Sequence, residues 1–105
     1  MMNDELMMSI MTMISSAGIA RSFFINAVNK AKEGDFEGAK REMEQGDVAF
    51  ETAHNAHAVM LSASVNAEEE GRVSLFLVHA EDQMMAAETF RILADELIEI
   101  YKKLR

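Results

Sequence analysis

No proline occurs in the 105 residues, so nothing in the chain forces a helix to kink or stop from within. Only two stretches carry stop signals. In Glu33-Gly34-Asp35, the glycine can take the left-handed conformation that ends one helix, and the aspartate can cap the first amides of the next. The second break is Asn66-Ala67-Glu68-Glu69-Glu70-Gly71, followed by Ser74 as a helix start. Three long helices are therefore predicted, from Asp4 to Glu33, from Phe36 to about Ala67 and from about Val73 to Leu104. Charge placement agrees with this division. Asp4 and Glu5 open the first helix and Lys30 and Lys32 close it, while Lys102, Lys103 and Arg105 close the third, each sign opposing the local end of the helix dipole.

Composition removes the alternatives. A chain of this length is one domain, here spanning 1–105. Frequent turns and β-branched or aromatic strands, which an all-β fold needs, are scarce. With no cysteine, disulfide scaffolds, thiolate catalysis and iron–sulfur clusters are excluded. Ten basic against eighteen acidic residues give a net charge of -8, which repels nucleic acid and anionic lipid. The first five residues are acidic where a secretory signal is basic, and the apolar run from Ile10 to Ala20 is interrupted by Ser15, Ser16 and Gly18. These features lead to the expectation of a cytoplasmic protein without direct membrane insertion.

Short turns between helices of about 45 Å give an all-α, up-down-up antiparallel bundle, a thin object with little interior. The third helix carries two apolar stripes. One runs through Leu75, Val78, Asp82, Ala86, Leu93, Leu97, Ile100 and Leu104; beside it run Phe76, Ala80, Met84, Ala87, Phe90, Ala94, Ile98 and Tyr101. One stripe can face the chain's own helices, which leaves the other to be covered by self-association. The competing reading is a monomer whose third helix is apolar over a wide arc.

The candidates for chemistry are His54, His57 and His79. His57 and His79 are each about eleven residues from the second turn, so the hairpin places them at about the same height. The i, i+3 pair His54 and His57 suits a metal by spacing but has no carboxylate on its face, and a partly buried, hydrogen-bonded histidine is the default there. Asp82 and Gln83 share a face with His79, one turn away. Asp82 stands within an apolar stripe, where an unpartnered carboxylate is unfavourable once out of water. Either it reaches solvent or Arg21 at the stripe's edge, or copies of it converge on a symmetry axis around a hard divalent cation. An imidazole with no cysteine nearby can accept a phosphoryl group on nitrogen, and equally it can be a packed core histidine.

The segment Ser74-Leu75-Phe76-Leu77-Val78-His79-Ala80-Glu81-Asp82-Gln83-Met84-Met85 resembles the signature of the enzyme IIA component of the lactose/cellobiose (chitobiose) class of the bacterial sugar phosphotransferase system. There, a run of aliphatics leads into His-Ala-Gln-Asp-His-Leu-Met. Ala17 to Ser22, Ala31 to Ala39 and Ala53 to His57 resemble the same family's first helix, first turn and second helix, so the similarity covers nearly the whole chain. The resemblance implies a homotrimer of three-helix bundles, nine helices in all. It implies that His79 accepts a phosphoryl group from the histidine-containing phosphocarrier protein and passes it to a cysteine of the cognate enzyme IIB, in uptake of a β-linked disaccharide (cellobiose, chitobiose or lactose). It implies, too, that Asp82 and its two symmetry mates hold Mg2+ on the trimer axis, with no organic cofactor.

Two positions depart from the family's pattern. Glu81 stands in place of glutamine, where it would repel a phosphoryl group if it pointed at the site. Gln83, in place of a second histidine, is a candidate donor to the phosphoryl oxygens. The alternative function is a non-enzymatic helical interaction or regulatory module with altered or lost phosphorylation. A histidine phosphotransfer domain of two-component signalling ranks behind both, because the lysine and glycine that usually follow its histidine are missing between Glu81 and Met85.

Overall fold

The computed structural model describes residues 4–69 and 75–105, with side chains described outside 63–69. It has three helices and no strand among the described residues: α1 (Asp4–Lys32), α2 (Phe36–Glu69) and α3 (Leu75–Lys103). All three predicted helices are present. The second runs through Asn66-Ala67-Glu68-Glu69, which the sequence suggested as part of a break, because good helix formers continue a helix unless a residue stops it. The rest of that break, with Ser74 and the expected start at Val73, lies outside the described residues.

The turn at Gly34 has the predicted chemistry. Gly34 has φ 82°, its N–H donates to Ala31 O (3.0 Å) and the Asp35 N–H donates to Lys30 O (2.9 Å). These two bonds satisfy the last carbonyls of α1 and form a Schellman cap. Asp35 then caps α2: its Oδ1 accepts from the Gly38 N–H at 2.9 Å, and its own carbonyl accepts the first helical bond from Ala39 at 3.0 Å.

The rods make a particle of 56 × 17 × 16 Å. Helix α1 is the central element, packed on both others, whereas α2 and α3 meet each other only sparsely. Two apolar clusters lie end to end. One joins Leu6, Ile10, Met13 and Ala17 of α1 to Ala53 and Met60 of α2 and Ala80, Met84 and Ala87 of α3. The other joins Ala20, Phe24, Ala27, Val28 and Ala31 to Ala39 and Met43 and to Ala94 and Ile98. The first half of α1 thus meets the second half of α2 and the first half of α3, which is the up-down-up arrangement.

Among the described residues, half of the buried apolar ones are alanines, and small side chains at the seams let the helix axes approach closely. Gly46 of α2 takes this furthest, because a Cβ there would press into the fully buried ring of Phe24. By length and composition α1 is apolar enough to cross a membrane, despite the interruptions at Ser15, Ser16 and Gly18. One of its faces, from Leu6 to Ala31, is nevertheless the bundle's own core, as expected of a central helix.

Of the two stripes on α3, the alanine-rich one faces inward: Ala80, Met84, Ala87, Ala94 and Ile98 are buried, and Phe90 and Tyr101 partly so. Every residue of the leucine-rich stripe, from Leu75 to Leu104, is exposed on the single chain.

Candidate functional site

His79 lies one turn into α3, at the end of the molecule where the first apolar cluster sits, and its side chain is exposed. The helix holds it by burying the residue that follows: Ala80 is fully buried against α1 and α2, so the preceding position is turned outward by about 100° of helical rotation. Phe76 and Val78, beside it, are half exposed. The site is therefore an accessible imidazole on a rigid helix with apolar neighbours.

The three residues after Ala80 fan out around α3 and meet different surroundings. Glu81 turns toward α2, where its Oε1 accepts from the His57 Nε2 at 2.7 Å. Asp82 is exposed and belongs to the outward leucine-rich stripe. Gln83 turns toward α1, and its Oε1 accepts from the Arg21 Nη1 at 3.2 Å.

His57 and His79 were expected at one height across the hairpin; the residue directly opposite His57 is Glu81, two positions further along α3. A two-residue step rotates a helical side chain by about 200°, so His79 points away from α2 and the two imidazoles are not brought together by their pairing faces. His57 is the partly buried, hydrogen-bonded histidine of the default reading, and His54 is exposed. On the single chain Asp82 reaches solvent, while the Arg21 Nη1 that was offered to it donates to Gln83 instead. The Gln83 oxygen accepts from Arg21, and its NH2 group, the expected donor, takes no part in that bond. Among the described residues, no group of three or more metal-ligating side chains comes together within one chain.

Gly18 of α1 borders open space: a Cβ there would meet nothing within 4 Å. It lines a shallow depression of about 450 Å³ with Ile14, Ile19, Ser22 and Phe23 on the outer face of α1.

Sequence reading missed the link between Arg91 and Asp47, which lie 2.6 Å apart (Nε to Oδ1). This hydrogen bond, with the coulombic pull of Asp47 and Asp95, raises the Arg91 pKa above its ordinary value against a smaller opposing effect of burial. The signal was present once a register was assumed. Ten residues back along α2 from His57 is Asp47, and ten residues on along α3 from Glu81 is Arg91, as an antiparallel pair requires.

This fold and this arrangement around an exposed histidine define a class. Residues 8–102 match the family of the lactose/cellobiose-specific IIA subunit of the phosphotransferase system, and the chain belongs to that family. Among its relatives, the N,N'-diacetylchitobiose-specific EIIA component of Escherichia coli is 38% identical over 102 residues, covering 97% of this chain and 87% of the relative. The lichenan-specific enzyme IIA component of Bacillus subtilis is 31% identical over 103 residues, covering 98% and 93%. The fold is similar to the crystal structure of the cellobiose-specific enzyme IIA from Bacillus anthracis, with TM-score 0.86, 34% identity and coverage of 99% of this chain and 94% of that one. It is similar as well to a structure of the chitobiose IIA in complex with HPr from the E. coli system, with TM-score 0.82, 38% identity and coverage of 97% and 98%.

Proposed function

We propose that this chain is a cytoplasmic phosphocarrier in which His79 accepts a phosphoryl group from the histidine-containing phosphocarrier protein HPr and delivers it to a cysteine of the cognate enzyme IIB. The observation that carries the reading is the exposed imidazole of His79, in the segment that resembles the family's histidine signature. Support for the donor comes from the similar chitobiose IIA, whose structure is of a complex with HPr. The sugar class is a β-linked disaccharide, chitobiose, cellobiose or lactose, which the chitobiose- and cellobiose-specific relatives support.

In the first step a lone pair on a ring nitrogen of His79 attacks the phosphorus of the donor's phosphohistidine. The new N–P bond forms as the donor's N–P bond breaks, and the departing imidazole keeps the electron pair. In the second step a cysteine thiolate of enzyme IIB attacks the same phosphorus and the His79 nitrogen leaves. Such exchange requires in-line access and a place for the phosphoryl charge rather than an elaborate apparatus, and exposure on a fixed helix supplies the access. Gln83, four residues on, is the proposed donor to the phosphoryl oxygens. The objection raised by Glu81 weakens with its position, because it is turned toward α2 and engaged by His57 instead of being aimed at His79.

The working assembly is a homotrimer. The exposed stripe Leu75, Val78, Leu93, Leu97, Ile100 and Leu104 is a long apolar surface of the kind that a soluble protein covers, and three copies about an axis form a nine-helix bundle. The same packing brings three Asp82 carboxylates together. Among the described residues one chain gathers no metal site, but three converging carboxylates would fit Mg2+, a hard cation that takes oxygen ligands. The cation would neutralise the mutual repulsion of the aspartates.

The test is incubation with phosphoenolpyruvate, enzyme I and HPr, followed by intact-mass measurement. One acid-labile phosphoryl group is expected per chain, absent from His79→Gln. No gain from any phosphorylated donor would overturn the reading in favour of a helical interaction module that keeps its partners without phosphorylation.

A further inference from the structure

The inference concerns Arg21 and rests on the reading of His79 as the phosphoryl acceptor. Helix α3 has no lysine or arginine between Arg72 and Arg91, so α3 itself brings no cation to the His79 turn. Arg21 arrives from α1, partly buried, with Nη1 at 3.2 Å from Gln83 Oε1.

That contact constrains more than one bond. A guanidinium has donors only, so Gln83 must present its carbonyl oxygen to Arg21, and its NH2 group diverges to the other side of the carboxamide. Side chains on a helix lean toward its N-terminus, and residues four apart stack on one face. Gln83 therefore leans over the turn that carries His79. Unrestrained, its amide rotates and offers oxygen as readily as nitrogen; the oxygen repels a phosphoryl group and the NH2 group attracts it.

We propose that Arg21 is a positioning residue for phosphoryl transfer, setting the Gln83 carboxamide so that its NH2 group faces the phosphorylated His79. The arrangement suits a chain with glutamine at position 83, since an amide has a donor end and an acceptor end to be sorted. Arg21 acts through Gln83 and does not itself touch the phosphoryl group.

The experiment measures the initial rate of phosphoryl uptake from phospho-HPr, as a function of its concentration, for wild type, Arg21→Met, Gln83→Ala, the double variant and Arg21→Lys. Loss of a hydrogen bond to a charged group predicts that Arg21→Met and Gln83→Ala each slow the maximal rate roughly ten- to a hundredfold, with the half-saturating donor concentration unchanged. The double variant should be no slower than Gln83→Ala, and Arg21→Lys, which still offers only donors, should recover most of the rate. A wild-type rate in Arg21→Met, or additive losses in the double variant, overturns the proposal. A second measurement needs no variant: in the 15N spectrum of the wild-type protein, the Gln83 side-chain NH2 signals must move on phosphorylation, and signals that stay put overturn it as well. The two levels separate cleanly. A wild type that takes no phosphoryl group refutes the His79 reading and this inference with it, whereas a phosphorylated wild type matched by Arg21→Met refutes this inference alone.

Discussion

The imidazole of His57 on α2 donates from Nε2 to Oε1 of Glu81 on α3 at 2.7 Å, joining two helices that otherwise meet sparsely. With side-chain exposures of 23% and 35%, the pair is partly screened by water, so its contribution is that of a semi-exposed bridge and not of a buried one. A double-mutant cycle with His57→Ala and Glu81→Ala, followed by urea unfolding at low salt, should give a coupling of about 0.5 kcal/mol. A zero coupling would mean that this pair adds nothing to the hold of α2 on α3.

Gly34→Ala should destabilise the chain by about 1 kcal/mol, because a residue with a Cβ is strained at a φ of 82°. A Cβ there also meets the Arg105 guanidinium at 2.6 Å, but that is the end of a flexible side chain and can move. Arg105→Ala in the same background should therefore restore little of the loss. Full restoration would locate the cost in the contact instead of the backbone. The denaturant midpoint reads both.

Overpacking is the expectation at Gly46. Its α-carbon faces the ring of Phe24, which has no exposed surface, so Gly46→Ala should cost about 1–3 kcal/mol despite the better helix propensity of alanine. Phe24→Leu by itself leaves a void, but combined with Gly46→Ala it should cost less than the sum of the two single changes. Thermal unfolding of the four proteins decides whether the two sites are coupled.

The outward stripe of α3 predicts the behaviour of the protein in solution. Sedimentation equilibrium of wild type should give the mass of three chains, and Leu93→Glu combined with Leu97→Glu should give the mass of one with helical content retained, since neither side chain is buried in the single bundle. A wild type of one-chain mass would refute the assembly.

Asp82 gives a separate handle on that assembly. Three carboxylates on an axis repel unless a cation lies between them, so chelating divalent metal should weaken wild-type association, and Asp82→Asn should make association insensitive to chelator. Equal sensitivity in both proteins would remove the metal from this residue.

Much of the architecture was legible in the chain because helix signals are local. Gly34 and Asp35 end and begin helices through bonds to residues within five positions of themselves, so their chemistry can be recognised without knowing the fold. His79 was legible in another way, through a motif resemblance; periodicity by itself left it undecided between a packed and a reachable histidine. The partners of Glu81 and Gln83 were not legible. A one-turn shift of α2 or α1 against α3 would have supplied different ones without altering any local pattern.

The order of helices, the position of the first turn and the presence of two apolar stripes on α3 were determined by sequence alone, since a 3.6-residue repeat and a capped end do not depend on what lies across the interface. Which stripe turns inward was decided by the tertiary structure. The leucine-rich stripe is the more hydrophobic, yet the stripe that contains Ala80, Ala87 and Ala94 is the one buried, with Met84 and Ile98, because short side chains at three of its positions let α1 lie close to α3. That choice rotates α3 so that Glu81 meets His57, Gln83 meets Arg21 and His79 faces water. The register between rods is a property of their packing, which no single helix encodes.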